Sequence, residues 1–462
     1  MQTKSILAKQ LKAEKSKKRV VIVGGGFGGL NTASAIKQND PKDEIEVIVL
    51  ERNPTYFVCA MSNTLLSDDK AFKKENFIFD YTNVQLEYKI DVINTEVLDI
   101  DREKKSVSTT QGILEYDYLV LAPGISYDYK VEFPTWSDAK IKKAQLQAPG
   151  GLISDSGVEH SILISQLEKF KANGGKGEIV IIPPRTKLFI DLNKSVKHKS
   201  LMRCKPAAYE RACMIGDWIK RNDLVGKAMV VILDGSPRPQ AKSEAFEQVF
   251  EEEYKGIIDY IGGFDLMDVD FDKKEITFRD IDDDAEYIKA TRTYDVLNLM
   301  PIQNASPLIK MAGLETNSWG GAILKPKKMY SVTDDKVFVV GDSAVFKKGV
   351  YSDNPKKKGG VPAAAQTAYS LGKEAGHLIA ERILKNKDND LVTFSASCFS
   401  MVTTMPDKLG ISITKDFSYD EKGTMIIDEK VPMVDGKYYN KIGGEGLLGW
   451  FEGITADTFA KF

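Results

Sequence analysis

One strand and three spaced glycines near the start of the chain constrain its fold most. Val20 to Val23 form a β-branched run suited to a buried parallel strand, and Gly24, Gly26 and Gly29 follow in G-x-G-x-x-G spacing before a helical pattern. The first glycine allows a tight turn, the second lets the backbone approach a pyrophosphate, and the third lets helix and strand pack closely.

A second apolar strand strengthens this interpretation. Ile45 to Leu50 ends in Glu51, whose carboxylate can accept hydrogen bonds from both hydroxyls of a ribose. Strand, glycines, helix, strand and acid together predict a βαβ unit that binds a dinucleotide, and the alternative is a Gly-rich turn that binds nothing. The segment from Asn53 to Asn63, which contains Cys59, should lie beside the cofactor because it leaves the strand that carries Glu51.

Composition excludes several classes of function. The 462 residues carry 64 basic and 66 acidic side chains, so a net charge of −2 gives no field that favours nucleic acid. No apolar run is long enough to span a bilayer, and residues 1–19 are Lys-rich without the apolar core of an export signal. Four cysteines without a C-x-x-C-H motif predict neither a disulfide framework nor an attached haem, and three scattered histidines argue against a metal site or a His-based hydrolase.

A second α/β unit begins near residue 176. It contains the strand Glu178–Ile182, a helix over Tyr209–Arg221 and the strand Ala228–Leu233. Pro183-Pro184-Arg185 replaces the glycine turn, and prolines offer no N–H groups to a pyrophosphate. The pattern predicts a nucleotide-type unit that no longer binds nucleotide.

Two further turns are candidates for the first unit. An apolar strand ends in Ala122-Pro123-Gly124, a turn that lets the chain pass close to a ligand. A later strand ends in Gly341-Asp342, where a carboxylate can hold a sugar-like hydroxyl chain or be a plain turn residue. Residues 125–160 are predicted to be an irregular surface excursion, and a basic loop over 347–360 is predicted to precede a helix over Val361–Leu384.

Cys204 is the cysteine with the strongest local signal. It lies just before a helix predicted to start near Ala207, and the helix end with Arg203 and Lys205 should favour a thiolate; an inert buried thiol is the alternative. Glu210 can exchange a proton if it is partly desolvated, or be a solvated helix residue. By their local sequence, the other three cysteines (Cys59, Cys213 and Cys398) are predicted to be structural.

The order of these features resembles the two-dinucleotide-binding flavoprotein fold of the glutathione reductase type. That fold is α/β, with two Rossmann-like domains and a C-terminal interface domain. Within it, the chain resembles the flavoprotein subunit of flavocytochrome c sulfide dehydrogenase, a relative of sulfide:quinone oxidoreductase. The segments that carry the resemblance are Glu51–Asn63, Arg203–Ala212, Asn298–Pro301 and Val340–Asp342.

The resemblance implies a flavin site and a redox pair. Cys59 would form a thioether to the dimethylbenzene edge of FAD, and Cys204 and Cys398 would form a redox disulfide beside the flavin, with Glu210 as the third catalytic residue. The implied FAD-binding residues are Gly24, Gly26, Gly29, Glu51, Arg52, Cys59, Asn63, Ala122, Gly124, Gly341 and Asp342. The implied domains are 18–135 and 296–388 for FAD, 136–295 for the degenerate nucleotide unit and 389–462 for the interface.

The chain also departs from the family. The Cys-Pro-Pro-Gly-Pro run of the family is here Cys204-Lys-Pro-Ala-Ala, so the loop beside this cysteine is less rigid and more basic. Leu188–Leu201 is an insertion, and Gly349–Gly360 has extra lysines.

The implied activity is sulfide oxidation. Hydrosulfide attacks the disulfide to give a persulfide and a thiolate, two electrons pass to FAD, and sulfur leaves as sulfane sulfur or polysulfide. A c-type cytochrome on another chain would accept the electrons, and the resemblance implies a periplasmic location.

Three alternatives remain from the sequence. A quinone reductase would lay the amphipathic segment Leu447–Phe462 on a membrane. A flavin redox sensor would not turn over, and a pyridine-nucleotide dehydrogenase is disfavoured by Pro183 and Pro184.

Overall fold

A computed structural model describes residues 17–150, 157–185, 187–191, 194–197, 201–280, 289–404 and 406–461. The Lys-rich start, residues 1–16, lies outside the described residues, as do Phe462 and residues 192–193 and 198–200 of the insertion. The described parts of the insertion form a hairpin of Lys187–Asp191 and Lys194–Lys197.

The first sheet is fully parallel and is built from the strands on which the glycine motif depends. Val20 pairs with Val47 on one side and with Tyr118 on the other, so the glycine turn emerges at the centre of the sheet. The apolar side chains are buried on both faces, as a parallel sheet requires. In spatial order the strands are Val337–Val339, Tyr118–Leu121, Lys18–Val23, Ile45–Glu51 and Asp91–Asn94.

The helix that follows the glycines, Phe27–Gln38, packs against the long helix Ala365–Leu384. Small residues make this close approach possible: a Cβ at Gly372 would lie 2.6 Å from the Gly28 carbonyl oxygen. The long helix was predicted to start at Val361; it starts four residues later, at Ala365. Ahead of it, the Ala363 carbonyl accepts a hydrogen bond from the Cys204 N–H.

The second sheet is also parallel, with the order Ile258–Gly262, Ala228–Asp234, Gly177–Ile182 and Val296–Leu299. Val296–Leu299 pairs with Gly177–Ile182, so the chain leaves this sheet only after Leu299. The predicted boundary at residue 296 therefore lies ahead of a strand that belongs to the second sheet.

The C-terminal sheet corrects the prediction of a loop over residues 347–360. Within this loop, Gly349–Tyr351 is a strand that pairs with Met425–Lys430 and with Lys358–Gly359. The strand is held in the sheet because Tyr351 is buried and Gly349 lies against the backbone of Met425. The main antiparallel pair of this sheet is Thr393–Met401 with Gly410–Tyr419.

The prediction that residues 125–160 are irregular is wrong for much of the segment. Asp138–Gln147 is a helix capped by the Ser137 hydroxyl, and Val158–Ala172 is a second helix with buried Leu163 and Leu167. Residues 151–156 lie outside the described part of the chain.

The last helix, Lys441–Phe459, buries Phe451 and Phe459 against the first unit. Phe459 stacks on Phe79 with ring centroids 4.6 Å apart, and Phe451 lies 5.3 Å from Phe77. The remaining helices are Thr82–Tyr88, Tyr129–Glu132, Ala207–Arg221, Ser243–Gln248 and Leu308–Met311, with 3-10 turns at Ser62–Ser67, Lys74–Phe77 and Gly341–Ser343 and a π-helical turn at Val249–Glu253. The remaining strands are Tyr56–Phe57, Ile78–Phe79, Val97–Asp101, Ser106–Thr109, Gly112–Glu115, Ile125–Tyr127, Phe264–Asp270, Glu275–Asp280, Lys289–Thr293, Gln303–Ala305, Ala322–Ile323, Ala344–Val345 and Tyr439–Asn440.

Candidate active site

The glycine loop has the geometry that the sequence predicts. Gly24 has a φ of +109°, and a Cβ there would lie 2.3 Å from the Ala122 carbonyl oxygen. A Cβ at Gly29 would lie 1.9 Å from the Gly24 carbonyl oxygen, so helix and strand meet without room for any side chain. Gly26 precedes the helix and provides no side-chain cap, which leaves the first N–H groups of the helix available to phosphate.

Glu51 is placed over this loop by the end of its strand. Its carboxylate accepts hydrogen bonds from the Gly25 N–H at 2.7 Å and from the Asn53 N–H at 2.9 Å. The neighbouring Arg52 has an exposed side chain, and its carbonyl accepts from the Asn94 amide at 2.9 Å.

The Ala122–Gly124 turn and the Gly341-Asp342 turn lie side by side, because their strands are neighbours in the first sheet. The Ser343 hydroxyl donates to the Gly124 carbonyl at 2.5 Å and joins the two turns. Gly341 has a φ of +77°, which only glycine adopts without strain.

These residues fit a flavin dinucleotide. The glycine cradle would be filled by a single Cβ, the helix N–H groups are uncapped, and the carboxylates of Glu51 and Asp342 lie at the ends of two strands of one sheet edge. Backbone donors suit the pyrophosphate, and carboxylates suit the hydroxyls of the ribose and the ribityl chain.

Cys59, Arg203 and Asp342 form a buried row. The Arg203 Nε lies 3.2 Å from the Asp342 Oδ2, and its Nη2 contacts the Cys59 sulfur. The backbone N–H of Arg203 donates to the Gln303 side chain at 2.8 Å, which fixes the start of this loop. Burial raises the pKa of the Cys59 thiol, and the Arg203 guanidinium opposes that rise.

Cys204 lies at the N-terminal end of the helix Ala207–Arg221, as predicted, and has a φ of +50°. Its N–H donates to the Ala363 carbonyl at 3.0 Å, and its own carbonyl accepts from the Ala207 N–H at 2.9 Å. Burial raises the pKa of the Cys204 thiol well above its usual value, and Cys398 and Glu210 add to the rise. The expectation that the helix end and nearby basic residues would give a thiolate is therefore wrong for the free cysteine, because burial outweighs them.

Cys398 comes from a different part of the chain. It lies on the strand Thr393–Met401 opposite Ile413, and its sulfur is close enough to Cys204 to raise the pKa of that thiol. Both cysteines are free and partly exposed in this structure. Lys242 donates to the Cys398 carbonyl at 3.1 Å and to the Ser400 hydroxyl at 3.0 Å, so it positions this strand.

Glu210 is buried beside the two sulfurs. Burial raises its pKa to about 7, with Lys242, Asn63 and Ser400 opposing the rise. The Asn63 amide lies 3.4 Å from the Glu210 carboxylate. A carboxyl with this pKa can hold or release a proton near neutral pH.

Asn63 lies in the cysteine half of the site. Its side-chain oxygen accepts from the Arg211 Nε at 3.0 Å, and Arg211 also donates to Asn298 at 3.3 Å. Three further residues of the site were not predicted: Arg211, Ser400 and Lys242. Arg211 is one residue from Glu210, but Lys242 is 156 residues from Cys398 and has no local signal.

The second nucleotide-type unit is closed by a buried ion cluster. Arg185, which follows the two prolines, donates to Glu132 at 2.9 Å and to Asp265 at 2.7 Å. Arg279 is a further partner of Asp265, at 3.4 Å. These side chains fill the turn where a pyrophosphate would bind in an active unit.

Cys213 is fully buried in the same helix as Glu210, in agreement with the packing role predicted for it. In the described ranges, no three His, Cys, Asp or Glu side chains are arranged to hold a metal ion. No helix within these ranges is long and apolar enough to cross a membrane.

Two family patterns match the chain. The one described as "Pyridine nucleotide-disulphide oxidoreductase" matches residues 18–152. The one described as "Sulfide dehydrogenase [flavocytochrome c] flavoprotein chain, central" matches residues 196–301, which include Cys204 and Glu210.

Curated relatives match over about a quarter of the chain. A type II NADH:quinone oxidoreductase of Staphylococcus haemolyticus is 33% identical over 110 residues, which are 23% of this chain and 26% of that protein. One from Staphylococcus aureus is 29% identical over 119 residues, 25% of this chain and 29% of that protein. The chain therefore spans between a quarter and a third of the length of these relatives.

Solved structures share the whole fold. The sulfide:quinone oxidoreductase of the hyperthermophilic bacterium Aquifex aeolicus has a TM-score of 0.68 at 17% identity, covering 96% of this chain and 92% of that chain. An NAD-dependent persulfide reductase from A. fulgidus has a TM-score of 0.55 at 17% identity, covering 87% and 71%. These findings confirm the α/β flavoprotein fold and the resemblance drawn from the sequence.

Proposed function

We propose that this chain is a sulfide dehydrogenase that passes electrons to a c-type cytochrome. It has the fold of FAD-dependent pyridine nucleotide-disulfide oxidoreductases, and its central segment is of the sulfide dehydrogenase flavoprotein type. The observation that carries the proposal is the convergence of Cys204, Cys398 and Glu210 next to the flavin-type site. Cys204 and Glu210 belong to one loop and helix, whereas Cys398 comes from a strand 194 residues further along the chain, and no local pattern brings it to them.

The resting enzyme would hold Cys204 and Cys398 as a disulfide. Hydrosulfide attacks one sulfur, a bond forms between substrate sulfur and that cysteine, the S–S bond breaks, and the other cysteine leaves as a thiolate. Glu210 accepts the proton of the bound hydrosulfide, because its pKa of about 7 leaves much of it ionised near neutral pH. Lys242 and Arg211 offset the negative charge that develops on the sulfurs.

FAD supplies the step that amino acids cannot, since it accepts two electrons together and releases them singly. Gly24, Gly26 and Gly29 would hold its pyrophosphate, Glu51 the adenosine ribose, and Asp342 the ribityl chain. We assign the covalent attachment to Cys59, which lies in the buried row with Arg203 and Asp342.

The acceptor separates this proposal from a quinone reductase. Phe451 and Phe459 of the last helix pack on the first unit and Trp450 packs on Phe399, which leaves fewer apolar groups for a membrane than the sequence of this helix suggests. A cytochrome partner, and with it a periplasmic location, is therefore favoured over a quinone in a bilayer. The fold match to a sulfide:quinone oxidoreductase keeps quinone as the second candidate.

The test is acceptor choice by the sulfide-reduced protein. Flavin is first bleached with a slight excess of sulfide under anaerobic conditions, and the absorbance is then followed after addition of either oxidised cytochrome c or a short-chain quinone. Faster reoxidation by cytochrome supports the proposal, faster reoxidation by quinone favours the second candidate, and no bleaching by sulfide contradicts both.

Covalent FAD is tested separately by acid precipitation. Yellow colour should stay in the pellet of the unaltered protein and move to the supernatant in Cys59→Ser. If all flavin of the unaltered protein is released, the assignment of the linkage to Cys59 is wrong.

A further inference from the structure

Arg203 occupies an unusual position for a residue that sequence analysis treats only as a charged neighbour of Cys204. Its Nη2 contacts the Cys59 sulfur, while its Nε is held by Asp342 at 3.2 Å. The side chains of Arg203 and Asp342 are 7% and 10% exposed, so water screens this contact little.

The surroundings of Cys59 otherwise oppose a negative charge on its sulfur. The charged or titratable groups that face it are Tyr56, Cys204, Glu210 and Asp342, and each of these disfavours a thiolate or is itself an acid. Burial acts in the same direction, since it raises the pKa of the Cys59 thiol. Among the described residues whose charges act most strongly on this sulfur, Arg203 is the one cation.

We propose that Arg203 activates Cys59 for the self-attachment of the flavin, by stabilising the thiolate form that the rest of the site disfavours. The inference rests on the proposed covalent linkage and adds an activity to the chain: catalysis of its own cofactor attachment. Asp342 is the positioning residue, because its ion pair with Nε directs the other end of the guanidinium to the sulfur.

The Cys59 thiolate forms a C–S bond to the carbon of a methyl group on the dimethylbenzene edge, that carbon loses one hydrogen as a proton, and two electrons remain in the flavin ring system, which is thereby reduced. Dioxygen then takes these two electrons with two protons and leaves as hydrogen peroxide, which restores oxidised flavin. One thiol, one flavin and one dioxygen thus give one thioether, one oxidised flavin and one peroxide.

The experiment measures attachment rather than turnover. Full-length protein made under riboflavin limitation is mixed with FAD in air, and the mass of the Cys59 peptide is followed with time for the unaltered protein, Arg203→Gln and Arg203→Lys. Arg19→Gln is the matched control, because Arg19 is another buried arginine of the first sheet, ion-paired to Glu46 at 2.7 Å, and does not contact Cys59.

At about pH 7, Arg203→Gln should attach flavin at least about tenfold more slowly than the unaltered protein, because removal of a neighbouring opposite charge shifts a pKa by one unit or more. Raising the pH to about 9 should recover much of the rate, since base then supplies the thiolate that Arg203 no longer stabilises. Arg203→Lys should lie between the two, and Arg19→Gln should match the unaltered protein.

Recovery with pH separates activation from a purely structural role, which added base would not repair. If Arg203→Gln does not fold, Arg203→Lys keeps the ion pair with Asp342 and carries the same test. Attachment by the Arg203 variants as fast as by the unaltered protein, or a defect that pH does not relieve, overturns the inference alone. Absence of covalent flavin in the unaltered protein overturns both the inference and the proposed linkage.

Discussion

The two parallel sheets of this chain are built alike and end differently. In the first, strand Lys18–Val23 leads into glycines that press against neighbouring backbone and leave helix N–H groups uncapped. In the second, strand Gly177–Ile182 leads into Pro183, Pro184 and Arg185, whose side chain is buried between two carboxylates.

The difference shows that a few residues in one turn decide whether such a unit can hold a dinucleotide. The first turn leaves its backbone N–H donors available to a ligand. The second turn has prolines in place of such donors, and the charge of its Arg185 is paired with buried carboxylates. Under the proposed function, electrons would enter from the side of Cys204 and Cys398 and not from a nicotinamide bound to the second unit.

The largest expected effect comes from the sulfurs. Cys204→Ser and Cys398→Ser should each lower sulfide-dependent cytochrome c reduction at least about a thousandfold while flavin stays bound, and the double variant should be no worse, because residues that act as one unit show non-additive losses. Cys213 is a buried cysteine of the helix Ala207–Arg221, which begins just after Cys204. Cys213→Ser is the control and should retain most activity. A double variant much worse than either single one would refute the pairing.

Glu210 should have the next largest effect. Glu210→Gln should lower turnover by about 100-fold and remove the inflection near pH 7 from the rate profile, because the variant cannot carry the proton. Glu159→Gln is the matched control: burial also raises the pKa of Glu159 to about 7, but that carboxylate faces Arg211 and not the sulfurs. Equal losses in both variants would argue against a catalytic role.

The same pKa predicts how stability depends on pH. Because the folded-state pKa of Glu210 is raised from 4.5 to about 7, its carboxyl destabilises the fold as pH rises through that window. Glu210→Gln should therefore be more stable than the unaltered protein by about 3 kcal/mol above pH 7, and by nothing below about pH 4. Urea unfolding at several pH values measures this, and a constant difference across pH would contradict it.

Gly24→Ala should reduce flavin content about tenfold or more, because the added Cβ meets the Ala122 carbonyl at 2.3 Å as well as requiring a positive φ. Gly256→Ala isolates the effect of the positive φ, since Gly256 has a φ of +76° with open space around it. The control should lose only about 1 kcal/mol of stability and keep its flavin. Similar flavin contents in the two variants would weaken the role given to the glycine turn.

Arg185 should affect stability but hardly affect the chemistry. Arg185→Leu removes the cation beside buried Glu132 and leaves Asp265 with Arg279 alone, and it should lower the free energy of unfolding by about 3–5 kcal/mol. Arg238→Leu breaks an exposed pair with Glu247 and should change stability far less, because water screens that pair. Sulfide activity per bound flavin should stay near normal in both, and a large loss in folded Arg185→Leu would place the second unit in the reaction.

Local patterns predicted the parts of this molecule that depend on local backbone. The glycine turn, the strand ends at Glu51 and Asp342, and the helix start at Ala207 are all where the sequence places them. The helices within 125–160 were missed because Lys, Gly and Pro around them mask a short amphipathic pattern.

The remaining parts depend on contacts between distant segments. Arg203 points to Cys59 rather than to its neighbour Cys204, and Lys242 meets the Cys398 strand, which no spacing rule encodes. The thiolate expected at Cys204 fails for the same reason, since the burial that outweighs the helix end is a property of the whole fold.

The most direct measurement compares two electron donors on one sample. Anaerobic protein with bound flavin is mixed in parallel with hydrosulfide and with NADH, and the flavin absorbance is followed in a stopped-flow instrument. We expect rapid bleaching by hydrosulfide, abolished in Cys204→Ser, and no useful rate with NADH. Rapid bleaching by NADH, with the flavin unchanged by hydrosulfide, would contradict the account.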